Sequence, residues 1–179
     1  MVDFPGFLAA RVDSRWRGYK MEEIAHAAEV RRLTETLFKA GVGVVGVKCG
    51  LRGIYLATTR KPPAILGDSW TNRELWAEAL RAEKVVSTTG AGDCAIAGFL
   101  TSVLKGLGPE DALLAASIAG AQNVRAPDAH SGLGTWAEIQ AMMGSFSPRH
   151  EWQPGRDWRR GARFGLWSGP YDGRAEGVT

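Results

Sequence analysis

The hydrophobic positions of this chain switch between two periods. Ile24, Ala27, Ala28, Leu33 and Leu37 fall near one stripe, which predicts a helix from Met21 to Ala40 with Gly41 as its stop. Val42 to Val47 is a nearly unbroken apolar, β-branched run, the pattern of a buried parallel strand. A glycine turn over Lys48 to Gly53 leads into a second strand, Ile54 to Thr58, so the two should form a hairpin. Trp70 to Arg81 is ambiguous, and Leu75, Trp76, Ala79 and Leu80 suit a helix capped by Thr71 or Asn72. Lys84-Val85-Val86 reads as a short strand. The apolar positions from Ala95 to Leu107 return to helical spacing, with the helix ending near Lys105 before Gly106 to Gly108. Pro109, Glu110 and Asp111 open another helix, which carries Leu113, Leu114, Ala116, Ile118 and Ala119 to about Val124. After a loop, Thr135 caps a last short helix, Trp136 to Met143. Alternating strands and helices give an α/β fold with a mainly parallel sheet.

The ends of the chain lack this order. Residues 1–20 are irregular or the remnant of a strand, residues 21–144 form the domain, and residues 145–179 form a tail rich in Trp, Arg and Gly. The tail either packs by Trp152, Trp158 and Trp167 or is disordered. Arg156, Arg159, Arg160 and Arg163 beside Trp158 could touch a polyanion, though a solvated tail is the preferred reading.

The stretch with most chemistry is Ser87-Thr88-Thr89-Gly90-Ala91-Gly92-Asp93-Cys94. It is a turn feeding a helix. Gly90 and Gly92 let the backbone take positive φ and approach a ligand closely. N–H groups at a helix start lack intrahelical partners, and the helix dipole adds partial positive charge, so the site suits phosphate. Asp93 at its mouth can cap the helix. It can also take a proton from a hydroxyl that attacks a phosphoryl group.

Thr88-Thr89-Gly90-Ala91-Gly92-Asp93 resembles the signature of the PfkB carbohydrate kinases, the ribokinase-like family. The resemblance runs from roughly Gly41 to Ala141 and includes the Lys48-Cys49-Gly50-Leu51-Arg52-Gly53 turn and the helix from Ala112 to Val124. It implies a three-layer ribokinase-like fold, ATP with Mg²⁺, and a sugar hydroxyl as acceptor. Asp93 takes the role of catalytic base, and Gly90, Ala91 and Gly92 that of the anion hole. Lys48, Gly50, Gly53, Thr89 and Ser117 fall on the nucleotide side. Ser117 stands where relatives commonly carry an asparagine near the adenine. Glu23 matches the end of the Asn-x-x-Glu motif that organises magnesium, with Lys20 in place of the asparagine. Ser87 replaces an aspartate, which leaves the family's monovalent-cation site without its usual ligand. Such kinases often run extended over Trp70 to Arg81. The part with the lid and the sugar contacts has no counterpart ahead of Lys20, so the chain reads as a C-terminal portion of a kinase. Apolar sheet surface left bare by that loss should favour a homo-oligomer.

Composition narrows the alternatives. The 179 residues suffice for one core, and 45% hydrophobic with 23% charged residues is ordinary for a soluble protein. A net charge of +3 is too small to argue for nucleic acid. Cys49 and Cys94 make no disulfide framework or zinc spacing. Cys94 at a helix start could have a lowered thiol pKa, but a small packing residue is the preferred reading. Asp128 and His130 are weak candidates for a metal. No signal peptide or membrane span is apparent, so a cytoplasmic protein is expected. The expected function is ATP-dependent phosphorylation of a sugar. The alternatives are a nucleotide-binding module without catalysis, or an interaction protein using the tail.

Overall fold

In the computed structural model, the residues described are 27–145, 153–161 and 165–174. The organising strand is Ile54–Thr58 (β2). Its residues point alternately to two faces, as the two-residue period of a strand requires. Leu56 enters one hydrophobic cluster and Tyr55 and Ala57 enter another on the opposite face. β2 pairs on one side with Val44–Lys48 (β1) and on the other with Glu74–Ala77 (β3). Leu56 lies opposite Leu75, and Tyr55 opposite Trp76. The tail supplies two more strands, Arg159–Arg160 (β4) and Leu166–Ser168 (β5), and the order is β1-β2-β3-β5-β4.

All the described pairs are antiparallel, where the sequence pattern suggested a mainly parallel sheet. The tight turn between β1 and β2 imposes this sense, because parallel neighbours need a long crossover. β1 reads as a parallel strand from sequence because its Val residues are covered or half-covered on both faces.

Helix Ala27–Lys39 (α1) contributes Ala27 and Val30 to the Tyr55 cluster. Helices Ala91–Leu104 (α2), Pro109–Asn123 (α3) and Trp136–Met143 (α4) lie on the Leu56 face. α3 is buried almost all round, the mark of a core helix. A Cβ added at Gly98 of α2 would sit 2.8 Å from the Ala115 carbonyl of α3, so that glycine sets the spacing of the two helices. α4 begins with a capping box: Glu138 N–H donates to Thr135 Oγ1, and Thr135 N–H donates to Glu138 Oε2. Along α2, Ile96, Leu100 and Leu104 form an exposed apolar row.

Two local expectations are corrected. The Trp70 to Arg81 helix is instead a short 3₁₀ turn, Asp68–Trp70, followed by β3. Asn72 does not cap a helix; it turns the chain at φ 49°, and Arg73 N–H then donates to Thr58 Oγ1 at 2.8 Å. Glu74 and Trp76 face one cluster while Leu75 and Ala77 face the other, so burial on both faces of a strand mimics a helical pattern. The Lys84-Val85-Val86 strand is absent. The Val86 and Ser87 N–H groups both turn to the Val124 carbonyl at the end of α3.

The tail is packed rather than solvated. Trp158 stacks edge-on against Trp76 and Tyr55, and Trp167 Nε1 donates to Glu78 Oε1 at 2.7 Å. Asp172, wholly buried, takes a forked pair of hydrogen bonds from Arg73. Arg73 also donates to Glu110 Oε1 at the start of α3. One guanidinium thus joins β3, the tail and α3. Arg163 and the Trp152 anchor lie outside the described residues.

Burial alone would raise the Glu110 carboxyl pKa, but the Arg73 hydrogen bond and charge outweigh it and hold the pKa below the usual range. A carboxylate depressed in the fold stabilises it above the unfolded pKa, ~4.3 for Glu. That contribution disappears as pH falls through the lower folded value. Urea midpoints for wild type and Glu110→Gln should therefore differ at neutral pH and converge in acid. A difference unchanged from pH 7 to pH 3 would rule out the linkage.

Candidate active site

A cavity of about 380 Å³ opens between the β1–β2 turn, the segment after β3, the start of α2 and one side of α3. Lys48, Gly50, Gly53, Ala91, Gly92 and Ser117 all line it. Six of the residues singled out by sequence therefore converge on one space. Thr89, Gly90 and Asp93 belong to the adjoining turn and the first turn of α2, not to the cavity wall. Leu51, Ile54, Leu80, Val85 and Val124 make the wall largely apolar.

The turn is held by its surroundings. Gly90 sits at φ 76°, and any Cβ there would collide with the Ala129 backbone. Only glycine suits that position. Asn123, fully buried at the end of α3, donates from Nδ2 to the Thr89 carbonyl at 2.9 Å and to the Asp128 carbonyl at 3.4 Å. Ser87 Oγ accepts the Thr89 N–H at 3.1 Å. Sequence reasoning missed Asn123. The only signal was a Gln-Asn pair closing an otherwise apolar helix. Gln122 does similar work, accepting the Gly134 N–H ahead of α4.

The electrostatics of the helix start are uneven. Asp93 and Cys94 donate their N–H groups to the Gly90 carbonyl, and Ala91 donates to Thr88 at 3.3 Å. The N–H groups of Gly90 and Gly92 have no acceptor among the described residues. The Lys48 side chain lies across Gly92, with Cε 3.2 Å from where a Cβ would be and the ammonium closer still. An ammonium therefore lies over the first turn of a helix, whose start carries partial positive charge. Asp93 projects beside them. It is exposed, makes no capping hydrogen bond and has no partner among the described residues.

Residues 16–136 match the pfkB family of carbohydrate kinases. The chain belongs to that family. The match starts upstream of Gly41, where the visible motifs begin. The 2-dehydro-3-deoxygluconokinase of Bacillus subtilis (strain 168) is 29% identical over 119 residues, covering 66% of this chain and 33% of that protein. The ribokinase of Thermotoga maritima is 25% identical with a TM-score of 0.50, covering 62% of this chain and 33% of that one. A nucleoside kinase of Methanocaldococcus jannaschii has a TM-score of 0.52 at 23% identity, covering 66% of this chain and 38% of that one. The chain thus spans about a third of the length of these pfkB-family relatives. The described sheet and helices form part of a ribokinase-like fold.

Two residues beside the turn, Cys94 and Asp128, have structural roles. The Cys94 thiol pKa is raised, not lowered, by burial and by the charges of Asp93 and Asp128. Its Sγ donates to the Ala129 carbonyl, so it is a packing residue. Asp128 accepts N–H groups from His130 and Ser131, and hydrogen bonds from Ser131 and His130 hold its pKa at about 2. It shapes a turn. Glu23 lies outside the described residues, among which no group of three or more His, Cys, Asp or Glu could hold a metal. No helix among the described residues is long and apolar enough to cross a membrane.

Asn123→Ala should remove the part-buried bond to the Thr89 carbonyl and cost ~0.5–1.5 kcal/mol of stability, the usual net worth of one hydrogen bond. Hydrogen exchange at the turn over residues 87–92 should accelerate beyond that global loss. An Asn123→Ala protein with native stability and native exchange there would show that the turn holds its own shape.

Proposed function

We propose that this chain is the nucleotide-holding part of an ATP-dependent carbohydrate kinase, with Asp93 as the base for the acceptor hydroxyl. The observation that carries this reading is the Lys48 side chain lying over Gly92 in the first turn of α2, next to Asp93, which has no partner among the described residues. Phosphoryl transfer depends mainly on positioning and on charge stabilisation. The start of the helix and the Lys48 ammonium would supply the second, as positive groups beside the phosphates. Asp93 takes the proton of a sugar hydroxyl, the hydroxyl oxygen bonds to the γ-phosphorus, and the bond to the β-phosphate oxygen breaks.

The neighbouring cavity, at about 380 Å³, suits the nucleoside end of ATP. Magnesium fits as the partner of the nucleotide, because such ions are bound through phosphates and one or two carboxylates rather than closed protein cages. It would neutralise phosphate charge, and the family resemblance assigns Glu23, which lies outside the described residues, to organising it.

The second reading, nucleotide binding without catalysis, is favoured for the chain in isolation. Asp93 is exposed, and no described residue engages it. A loosely held acceptor forfeits a proximity contribution that reaches ~7–11 kcal/mol. Trp158 and Trp167 are buried, which argues against the third reading, a tail offered to partners. The exposed row of Ile96, Leu100 and Leu104 supports self-association of the isolated chain.

Two experiments test this function. Calorimetry with ADP should show weak binding that Lys48→Ala weakens by about 10–100-fold, the scale of a charge-assisted bond. Gly92→Val should do the same by displacing the Lys48 side chain, and the double variant should lose no more than either alone. Full additivity would separate the two residues and remove the shared phosphate site. In an ADP-release assay against a sugar panel, run beside light scattering, the isolated chain should turn over far below ~1 s⁻¹. Any sugar-dependent rate should fall ~10²–10⁴-fold in Asp93→Asn, the scale for a general base. Near-native turnover in that variant would reject the base assignment.

A further inference from the structure

The C-terminal tail lies beyond residue 136, where the pfkB match stops, yet it reaches back to the cavity. The cavity is on the Leu56 face of the sheet, with α2 and α3. Trp158 and Trp167 of the tail pack on the other face, with Tyr55 and Trp76. Trp76 links the tail to the β1–β2 turn. Its fully buried ring lies edge-on to Trp158, with 6.0 Å between centroids, and stands opposite Trp167 in the β3–β5 register. Its Nε1 donates to the Arg52 carbonyl at 2.7 Å. The turn also leans on β3 directly. Gly53, at φ 98°, has room only for a hydrogen against the Ala77 carbonyl, and its own carbonyl accepts the Cys49 N–H at 2.7 Å. Just past β3, Glu78 N–H donates to the Gly165 carbonyl at 2.8 Å, and Trp167 Nε1 donates to the Glu78 carboxylate. Ala79 and Leu80 follow at once and line the cavity, as Gly50 and Gly53 of the turn do.

We infer, resting on the nucleotide reading of this cavity, that Trp76 is a positioning residue for the nucleotide, braced from behind by the tail, so that tail docking and nucleotide binding stabilise each other. The turn that begins at Lys48 and ends at Gly53 carries one wall of the cavity and the ammonium that lies over Gly92. Only a fixed turn holds both at a set distance from the start of α2. A rigid buried ring that grips the Arg52 carbonyl fixes it. The ring in turn has its place between Tyr55, Trp158 and Trp167. The tail strands have only two and three residues, and pairings that short open easily. A ligand seated against the turn therefore favours the docked tail. By linkage, the docked tail favours the ligand by the same factor.

Calorimetry of the full chain with ADP tests this, using Trp76→Phe, Trp167→Phe and Ile139→Val. Trp76→Phe keeps an aromatic ring and removes the donor to Arg52. It should weaken ADP about five-fold, the scale of one neutral hydrogen bond. Trp167→Phe loosens the tail at Glu78 and should weaken ADP in the same direction, which keeps the test open should Trp76→Phe fail to fold. Ile139→Val truncates the core at α4, away from the cavity lining, and should leave ADP affinity within about two-fold of wild type despite its lower stability. Saturating ADP should also slow amide exchange at Glu78 and Gly161, which are bonded to Gly165 and Leu166, more than at Ile139. Native ADP affinity in a folded Trp76→Phe or Trp167→Phe protein, or an equal loss in Ile139→Val, would overturn the positioning role and leave the nucleotide site in place. Bound ADP without added protection at Glu78 and Gly161 would overturn the coupling. Absence of ADP binding by wild type would overturn the nucleotide reading and this inference together.

Discussion

Helix α2 approaches α3 as closely as backbone atoms allow, and the candidate site depends on that approach. Gly98 faces Ala115 and Ala119, and Gly120 faces Ala91, so the contact consists of glycine and alanine surfaces. Any side chain larger than a hydrogen at Gly98 would push the helices apart. The spacing brings the end of α3 to the start of α2, where Asn123 can hold the Thr89 carbonyl. Without it, the turn would have to keep Gly90 at positive φ by itself. The turn owes its shape to two packed helices rather than to its own sequence alone.

The charges obey the same economy. The helix start, two N–H donors and Lys48 repel one another unless an anion is present. Such a concentration of positive potential is a standing cost to the empty protein and a gain to a phosphate ligand. On the other side of the molecule the charged groups are satisfied internally. Glu74 accepts from Arg31, Tyr55 and the Tyr171 backbone, and Arg73 is shared by Asp172 and Glu110. Burial and the neighbouring Glu74 charge also push the Tyr55 hydroxyl pKa upward, which keeps it a neutral donor. Structural ion pairs and the unpaired site charges are thus physically separate sets.

What was legible in the sequence was local. Gly90, Pro109 and Thr135 act within a few residues of themselves, and the helices they start lie where the pattern put them. The glycine-rich turn likewise carries its own chemistry. The features that stayed hidden depend on partners far along the chain. β3 looks helical because Trp76 is buried against Trp158 and Glu74 is paired with Arg31, and neither partner is near it in sequence. The sense of the sheet, the position of Lys48 over Gly92 and the clasp made by Asn123 are all products of folding. The tail seemed aperiodic because each of its strands is only two or three residues long.

The tail also changes where this protein can be cut. Periodicity ends near residue 145, which invites a boundary there. Removing the chain beyond that point would uncover Trp76 and Tyr55, leave the Arg73 guanidinium without Asp172, and turn β3 into an open edge. An apolar edge strand with unpaired N–H groups is a template for aggregation. The described C-terminal residues therefore act as a cover strip for the sheet, and any shortened version meant to stay in solution has to keep them through at least Asp172.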